Sequence, residues 1–128
     1  MNDLVVDLWP NLHLEKVRSP KTILKEQADL LSHKTNNILK GEIGSVSSLN
    51  ETTIGFSITS PYLNNYKYQL FFIRFNPATL YPVFLDGYGE CNDESTFVEK
   101  VKEILSDART IKIINSLYSQ SLEETESV

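Results

Sequence analysis

Cysteine and histidine are scarce in this sequence. Cys91 is the single cysteine among 128 residues, so no disulfide can form within the chain. A zinc site made of four Cys and His ligands is therefore not expected. His13 and His33 fit no ligand spacing such as HExxH, which indicates two solvated surface side chains. The residues predict no metal and no cofactor.

Long apolar runs are also missing. No stretch approaches the roughly 18 consecutive apolar residues that a membrane span needs. Asp3 and Asp7 stand near the N-terminus, where a signal peptide would carry positive charge. We therefore expect a cytoplasmic protein that does not enter a membrane.

Positive charge is in deficit. Twelve basic residues face seventeen acidic ones, which gives a net charge of −5 and a pI near 5.0. Binding to nucleic acid depends mainly on neutralising phosphates with Lys and Arg, so this balance argues against a nucleic-acid partner. A basic protein partner is expected instead, because the acidic charge would attract it. The oligomeric state is left open.

The patterns that are present predict a single domain with terminal extensions. Residues 1–18 form an extended arm, residues 19–121 one α+β domain, and residues 122–128 a frayed acidic tail. Ser19 and Pro20 start a helix of about twenty residues, with Ser19 as its N-cap and Gly41 as its stop. Its apolar stripe is a run with spacings of three and four: Leu24, Ala28, Leu31, Thr35 and Ile38.

The middle of the chain changes to the two-residue period of strands. Short polar turns separate four predicted strands, which favours an antiparallel meander. The strands are Glu42–Val46, Thr53–Ser60, Tyr66–Phe75 and Leu80–Leu85. Helical spacing returns after Gly89 with Phe97, Val101 and Ile104, capped by Asp93, Ser95 or Thr96, and a last short helix follows. The fold prediction is an N-terminal helix, a four-stranded sheet and two C-terminal helices packed on one sheet face.

Residues 64–91 hold eight of the twelve Tyr and Phe side chains. An aromatic sheet face could stack RNA bases, but the glycine-aromatic spacing of an RNP1 motif is absent. Strict alternation puts Tyr68, Leu70 and Phe72 on one face of the third strand and Phe71 and Ile73 on the other. We interpret the strand as sheet core with one side under the helices. The second side is expected to be covered partly by the N-terminal arm through Trp9.

Cys91 invites a catalytic interpretation. The order of helix, meander and helix, with Tyr81-Pro82 upstream of a lone cysteine, resembles the architecture of ubiquitin-conjugating enzymes. The His-Pro-Asn tripeptide that those enzymes carry before the cysteine is missing. Neighbouring acids such as Asp86 and Glu90 would raise the pKa of the Cys91 thiol and weaken it as a nucleophile.

The acidic loop at residues 86–94 invites a calcium interpretation, because Ca²⁺ prefers carboxylate and carbonyl oxygens. It lacks the register of an EF-hand loop. The acidic composition of the loop needs no bound ion, because acids in the first turn of a helix complement the helix dipole. A small enzyme or ligand-binding domain that uses Cys91 or this loop is the alternative function.

The predicted function is non-enzymatic protein binding, because no catalytic constellation accompanies the acidity and the aromatic residues. A concrete form is an immunity or antitoxin protein that inhibits a basic bacterial toxin such as a nuclease. The predicted partner-binding residues are tyrosines and acids at the margins of the sheet. They are Tyr62, Tyr66, Tyr68, Asp86, Tyr88, Glu90, Asp93 and Glu94.

Overall fold

The computed structural model describes residues 4–126, in which one helix, an antiparallel sheet and two further helices follow in order. This confirms the predicted α+β class, with five strands in place of four. No helix in that range is both long and apolar enough to cross a bilayer. The elements are α1 (Pro20–Lys34), β1 (Lys40–Ser47), β2 (Thr52–Ser60), a 3-10 turn (Pro61–Leu63), β3 (Tyr66–Phe75), β4 (Val83–Leu85), β5 (Gly89–Cys91), α2 (Glu94–Ser106) and α3 (Ala108–Glu126).

Helix α1 begins as predicted but is shorter than predicted. The Ser19 side chain caps its N-terminus, and its 15 residues end at Lys34. Thr35 and Ile38 therefore lie beyond the helix, and Gly41 lies within β1. The physical reason is local, because the two asparagines after Thr35 have φ values of 51° and 63°. This left-handed conformation, which asparagine tolerates, ends the helix one turn early.

The sheet is a meander in which each strand pairs with its neighbour in the order β1 to β5. The predicted fourth strand is wrong at its start, because Leu80 has a φ of 68° and β4 begins only at Val83. The fifth strand was not predicted. It arises because Gly87 and Gly89 both have a φ of 82°, which reverses the chain after β4 and pairs Leu85 with Gly89.

A β-bulge decides which side chains of β3 face the helices. The register between β2 and β3 shifts between Phe56 and Ser57. Phe56 pairs with Phe71, whereas Ser57 pairs with Gln69. Leu70 is the extra residue of the bulge. Phe71 and Ile73 are buried in the main core and Tyr68 packs against a second core cluster, with Leu70 in contact with both. The prediction of strict alternation is therefore wrong, since it separated Tyr68 and Leu70 from Phe71.

The other sheet face carries no helix among the described residues. A shallow trough of about 480 Å³ crosses it, and strand residues alone line this trough, including Lys67, Gln69 and Phe72. At one end the Arg74 guanidinium lies 4.3 Å from the ring centre of Phe84. Arginine over an aromatic face gains from cation–π attraction.

The N-terminal arm does not cover this sheet face, which corrects the prediction. Residues 4–18 are all exposed, and Trp9 retains 75% of its accessible surface. Arg18, at the base of the arm, pairs with Glu26 of α1 and lies 3.9 Å from Glu94 of α2. The arm is thus tied to the helical layer at its base, while its apolar side chains remain in water.

Helix α3 is longer than the predicted short helix and continues to Glu126. Its last turns are tied to the sheet by Ser121, which is fully buried and lies 2.5 Å from the hydroxyl of Ser60. The Ser121 hydroxyl also donates to the Leu117 carbonyl at 2.7 Å, so Ser60 is the donor in the pair. This buried contact holds the C-terminal end of the helix against the end of β2.

We expect Ser121→Ala to lower the free energy of unfolding by about 1–3 kcal/mol, because it leaves the buried Ser60 hydroxyl without an acceptor. Ser60→Ala should cost less, since Ser121 keeps its bond to Leu117. The double variant should be more stable than Ser121→Ala. Urea unfolding of the three variants measures this cycle, and equal costs for the two single variants would contradict the assigned donor.

Candidate functional site

The predicted acids lie in a segment that carries the whole net charge of the protein. Residues 86–99 contain five acidic residues and no basic one, which leaves twelve acids and twelve bases elsewhere. Asp86, Glu90, Asp93 and Glu99 are exposed, and Glu94 is half-buried beside Arg18. We call residues 86–99 the acidic segment. It comprises the turn after β4, strand β5 and the first half of α2.

The turn after β4 presents an aromatic side chain within these acids. The Tyr88 backbone N–H donates to the Leu85 carbonyl at 2.9 Å, and the Asp86 N–H donates to the Phe72 carbonyl at 3.1 Å. The first bond closes the turn, and the second ties the turn to β3. Tyr88 nevertheless keeps 42% of its surface exposed. An exposed tyrosine in an acidic turn suits contact with a protein, because it contributes large area with few rotamers to restrict.

Asp93 has a structural role as well as a charge. Its Oδ1 accepts from the Thr96 backbone N–H at 2.8 Å, which makes it the N-cap of α2. This hydrogen bond lowers the pKa of Asp93, so the carboxylate stays ionised at neutral pH. Burial, followed by the charge of Glu94, raises the pKa of Tyr81 to about 12. Asp93 is therefore an ionised carboxylate near a neutral phenol.

Two adjoining grooves bring four of the eight predicted residues to one surface. The larger, of about 670 Å³, lies between Tyr66, Tyr68 and helix α3. The smaller, of about 330 Å³, joins Tyr68 to Asp86 and Tyr88. Both are lined by Arg109, whose guanidinium lies 3.4 Å from the Tyr68 hydroxyl. We call the larger one the tyrosine groove.

The other four predicted residues lie outside these grooves. Tyr62 is in the 3-10 turn and half exposed, and Glu90 lies on β5 opposite Phe84. Asp93 and Glu94 mark the start of α2. The acids and tyrosines therefore do not converge on one pocket. Glu90 belongs to the open sheet face, because its partner Phe84 lies there beside Arg74.

Sequence analysis missed the basic residues of the tyrosine groove. Arg109 and Lys112 line it together with Ile113, Ser116 and Gln120 of α3. The spacings of three, one, three and four place all five on one helix face. That spacing is visible in the sequence, although the acidic total charge gives no sign of a local pair of cations.

Cys91 is in the wrong environment for a nucleophile. It is 1% exposed and belongs to the main core. Burial raises the pKa of the Cys91 thiol, an effect that Lys100 opposes and Asp93 reinforces. The group is therefore held as the neutral thiol, which is the unreactive form. These observations do not favour the enzymatic alternative at this residue.

We expect Cys91 to be alkylated by iodoacetamide at least about 100-fold more slowly in the native protein than in denaturant, because the reagent needs an exposed thiolate. Mass spectrometry of the time course measures both rates. The unfolded chain serves as its own control, since the same single thiol reacts in both states. Comparable rates would show that the thiol is accessible in the folded protein.

The acidic loop forms no recognisable metal site in the structure. No group of three or more His, Cys, Asp and Glu residues within positions 4–126 is arranged to hold a metal ion. The loop carboxylates have other roles, since Asp93 caps α2 and Glu94 faces Arg18.

Comparison of the chain with protein-family models, with curated proteins and with solved structures finds no match.

Proposed function

We propose that this protein is a non-enzymatic binding module for a basic protein, with the acidic segment as the centre of the contact surface. The observation that carries the proposal is the location of the entire net charge of −5 in residues 86–99, a segment that also holds the exposed Tyr88. A concentrated acidic surface raises the association rate with a basic partner through electrostatic steering. Tyr88 would supply apolar area once the partner is in contact.

In its most specific form, the proposal is a bacterial immunity or antitoxin protein that acts in the cytoplasm. A nuclease toxin carries a basic active site for its phosphate backbone substrate, and an acidic surface can cover it. The small size, the acidity and the absence of a reactive cysteine support this version. Tyr66 and Tyr68 would contact the partner outside its basic site, because Arg109 and Lys112 make the tyrosine groove locally basic.

The test compares two variants that remove equal charge in different places. The variant D86N/E90Q/D93N/E94Q neutralises the acidic segment, and Asn at position 93 keeps an N-cap. The control D29N/E51Q/E123Q/E124Q neutralises four exposed acids elsewhere. Removing four of the five net negative charges leaves both variants at −1.

Each protein is used to capture partners from a lysate of the native organism at low and high salt. We expect the wild type and the control to retain a basic protein, and the acidic-segment variant to lose it by at least about tenfold, since several steering charges are removed. The captured protein should be toxic when expressed alone and harmless when co-expressed with this chain. An acidic partner, or equal capture by both variants, would contradict the proposal.

A further inference from the structure

The N-terminal arm is the most apolar exposed segment of the protein. Eight large apolar side chains between residues 4 and 17 keep from 56% to 92% of their surface exposed. They are Leu4, Val5, Val6, Leu8, Trp9, Leu12, Leu14 and Val17. Contiguous apolar exposure on this scale marks a contact surface, because single scattered residues need no explanation but a cluster does.

The helical layer contains a groove that matches this arm in character. Two adjoining cavities of about 370 and 250 Å³ share Gln27 and Leu105 and run along α1, between α1 and the two C-terminal helices. The floor reaches the core side chains Phe56 and Ile58. We call this the α1 groove. It is therefore a gap in the helical layer that opens onto the core.

The rim of the α1 groove is partly apolar and partly basic. Leu30 and Val98 stand at its edge with 46% and 40% of their surface exposed. Lys34 and Lys102 provide positive charge along it. An occupant with apolar side chains and interspersed acids would complement both features.

We propose that the arm of one copy docks in the α1 groove of a second copy, so that two chains exchange arms in a symmetric dimer. Among its apolar residues the arm offers two acids, Asp7 and Glu15, against one base, Lys16, and this acidic excess complements Lys34 and Lys102. One chain thus carries both halves of the contact, as an exchange about a two-fold axis requires. In the single chain, Trp9 and its neighbours stay in water, which leaves them available to a partner copy.

The dimensions fit such an exchange. The groove follows α1, whose 15 residues span about 22 Å. Fourteen extended arm residues reach about 46 Å, which is enough to fill the groove and bridge two copies. Each copy would contribute fourteen arm residues and fourteen groove residues to the interface, which is twenty-eight in all. A standard stable interface uses about 20–30 residues a side.

The test uses three full-length variants that each replace one exposed valine and one exposed leucine by serine. V6S/L8S alters the arm, V98S/L30S alters the groove, and the control V46S/L49S alters β1 and the turn after it. Sedimentation equilibrium gives the mass, against 14.6 kDa for one chain. Trp9 is the only tryptophan, so its fluorescence reports burial of the arm directly.

We expect the wild type and the control to sediment at twice the single-chain mass with blue-shifted Trp9 emission. The arm variant and the groove variant should each weaken association by at least about tenfold, because each loses two apolar contacts at the same interface.

Three results would overturn the proposal. The first is a wild-type chain that stays monomeric with water-exposed Trp9 emission, which would leave the arm to another protein. The second is a monomer with buried Trp9, which would place the arm on its own body. The third is a dimer that the groove variant leaves intact. None of these variants changes a carboxylate of the acidic segment, so the outcome is independent of the proposed function.

Discussion

Gly41→Ala should lower the free energy of unfolding by about 3 kcal/mol, the upper part of the range for overpacking a tight contact. A Cβ atom at this position would lie 2.4 Å from the carbonyl oxygen of Ala28 and 2.5 Å from its Cα. Both atoms belong to the backbone of α1, so no side-chain rotation can relieve the clash. The helix would have to move away from β1, which would loosen the packing of Leu24 and its neighbours in the core.

Gly44→Ala is the matched control in the same strand. A Cβ atom there meets no other atom within 4 Å. Replacing glycine reduces the entropy of the unfolded chain, so we expect no loss and a gain of up to about 0.5 kcal/mol. Guanidinium unfolding of both variants measures the contrast. Equal stabilities would show that α1 can shift without cost, contrary to the close contact in the structure.

Phe97→Ala should cost about 3–5 kcal/mol of unfolding free energy, the usual range for removing a buried aromatic ring. Phe97 is fully buried, and its ring stands edge-on to Tyr81 with the centroids 6.4 Å apart. It lies one turn after the N-cap Asp93, so it also fixes the start of α2 against the sheet. Partner binding through the acidic segment should weaken together with stability.

Val98→Ala is the control for this substitution, because its side chain is adjacent in sequence but 40% exposed. We expect a change within about 0.5 kcal/mol, as for most surface positions. Thermal unfolding followed by circular dichroism compares the two variants. A small effect of Phe97→Ala would mean that neighbouring side chains refill the space, and that the core does not depend on this ring.

The elements with regular periodicity were predictable from the sequence. Strand β3 has the predicted bounds, β2 differs by one residue, and α1 begins at the predicted cap. These elements carry strong local signals, namely alternation over many residues and the Ser-Pro start of a helix. The three-residue strands β4 and β5 are too short to show any period, which is why one was extended and the other missed.

The candidate site was predictable only in part. The acids and tyrosines at the margins of the sheet are selected by their residue types and their position outside the strand core, and their role in binding stays a prediction. The helical spacing of Arg109 and Lys112 is visible in the sequence, but the contact of Arg109 with Tyr68 is not, because it joins residues that are 41 positions apart. The arm was expected to cover the open sheet face, and the structure leaves it exposed.

Local chemistry in the sequence determines the class of fold, the helix starts and the excess of negative charge in residues 86–99. Each of these depends on neighbouring residues, whose interactions need no knowledge of the rest of the chain. Tertiary structure alone decides the bulge in β3, the burial of Cys91 and the gap along α1. These features depend on how strands and helices pack across long separations, where small differences in register change which side chain is buried.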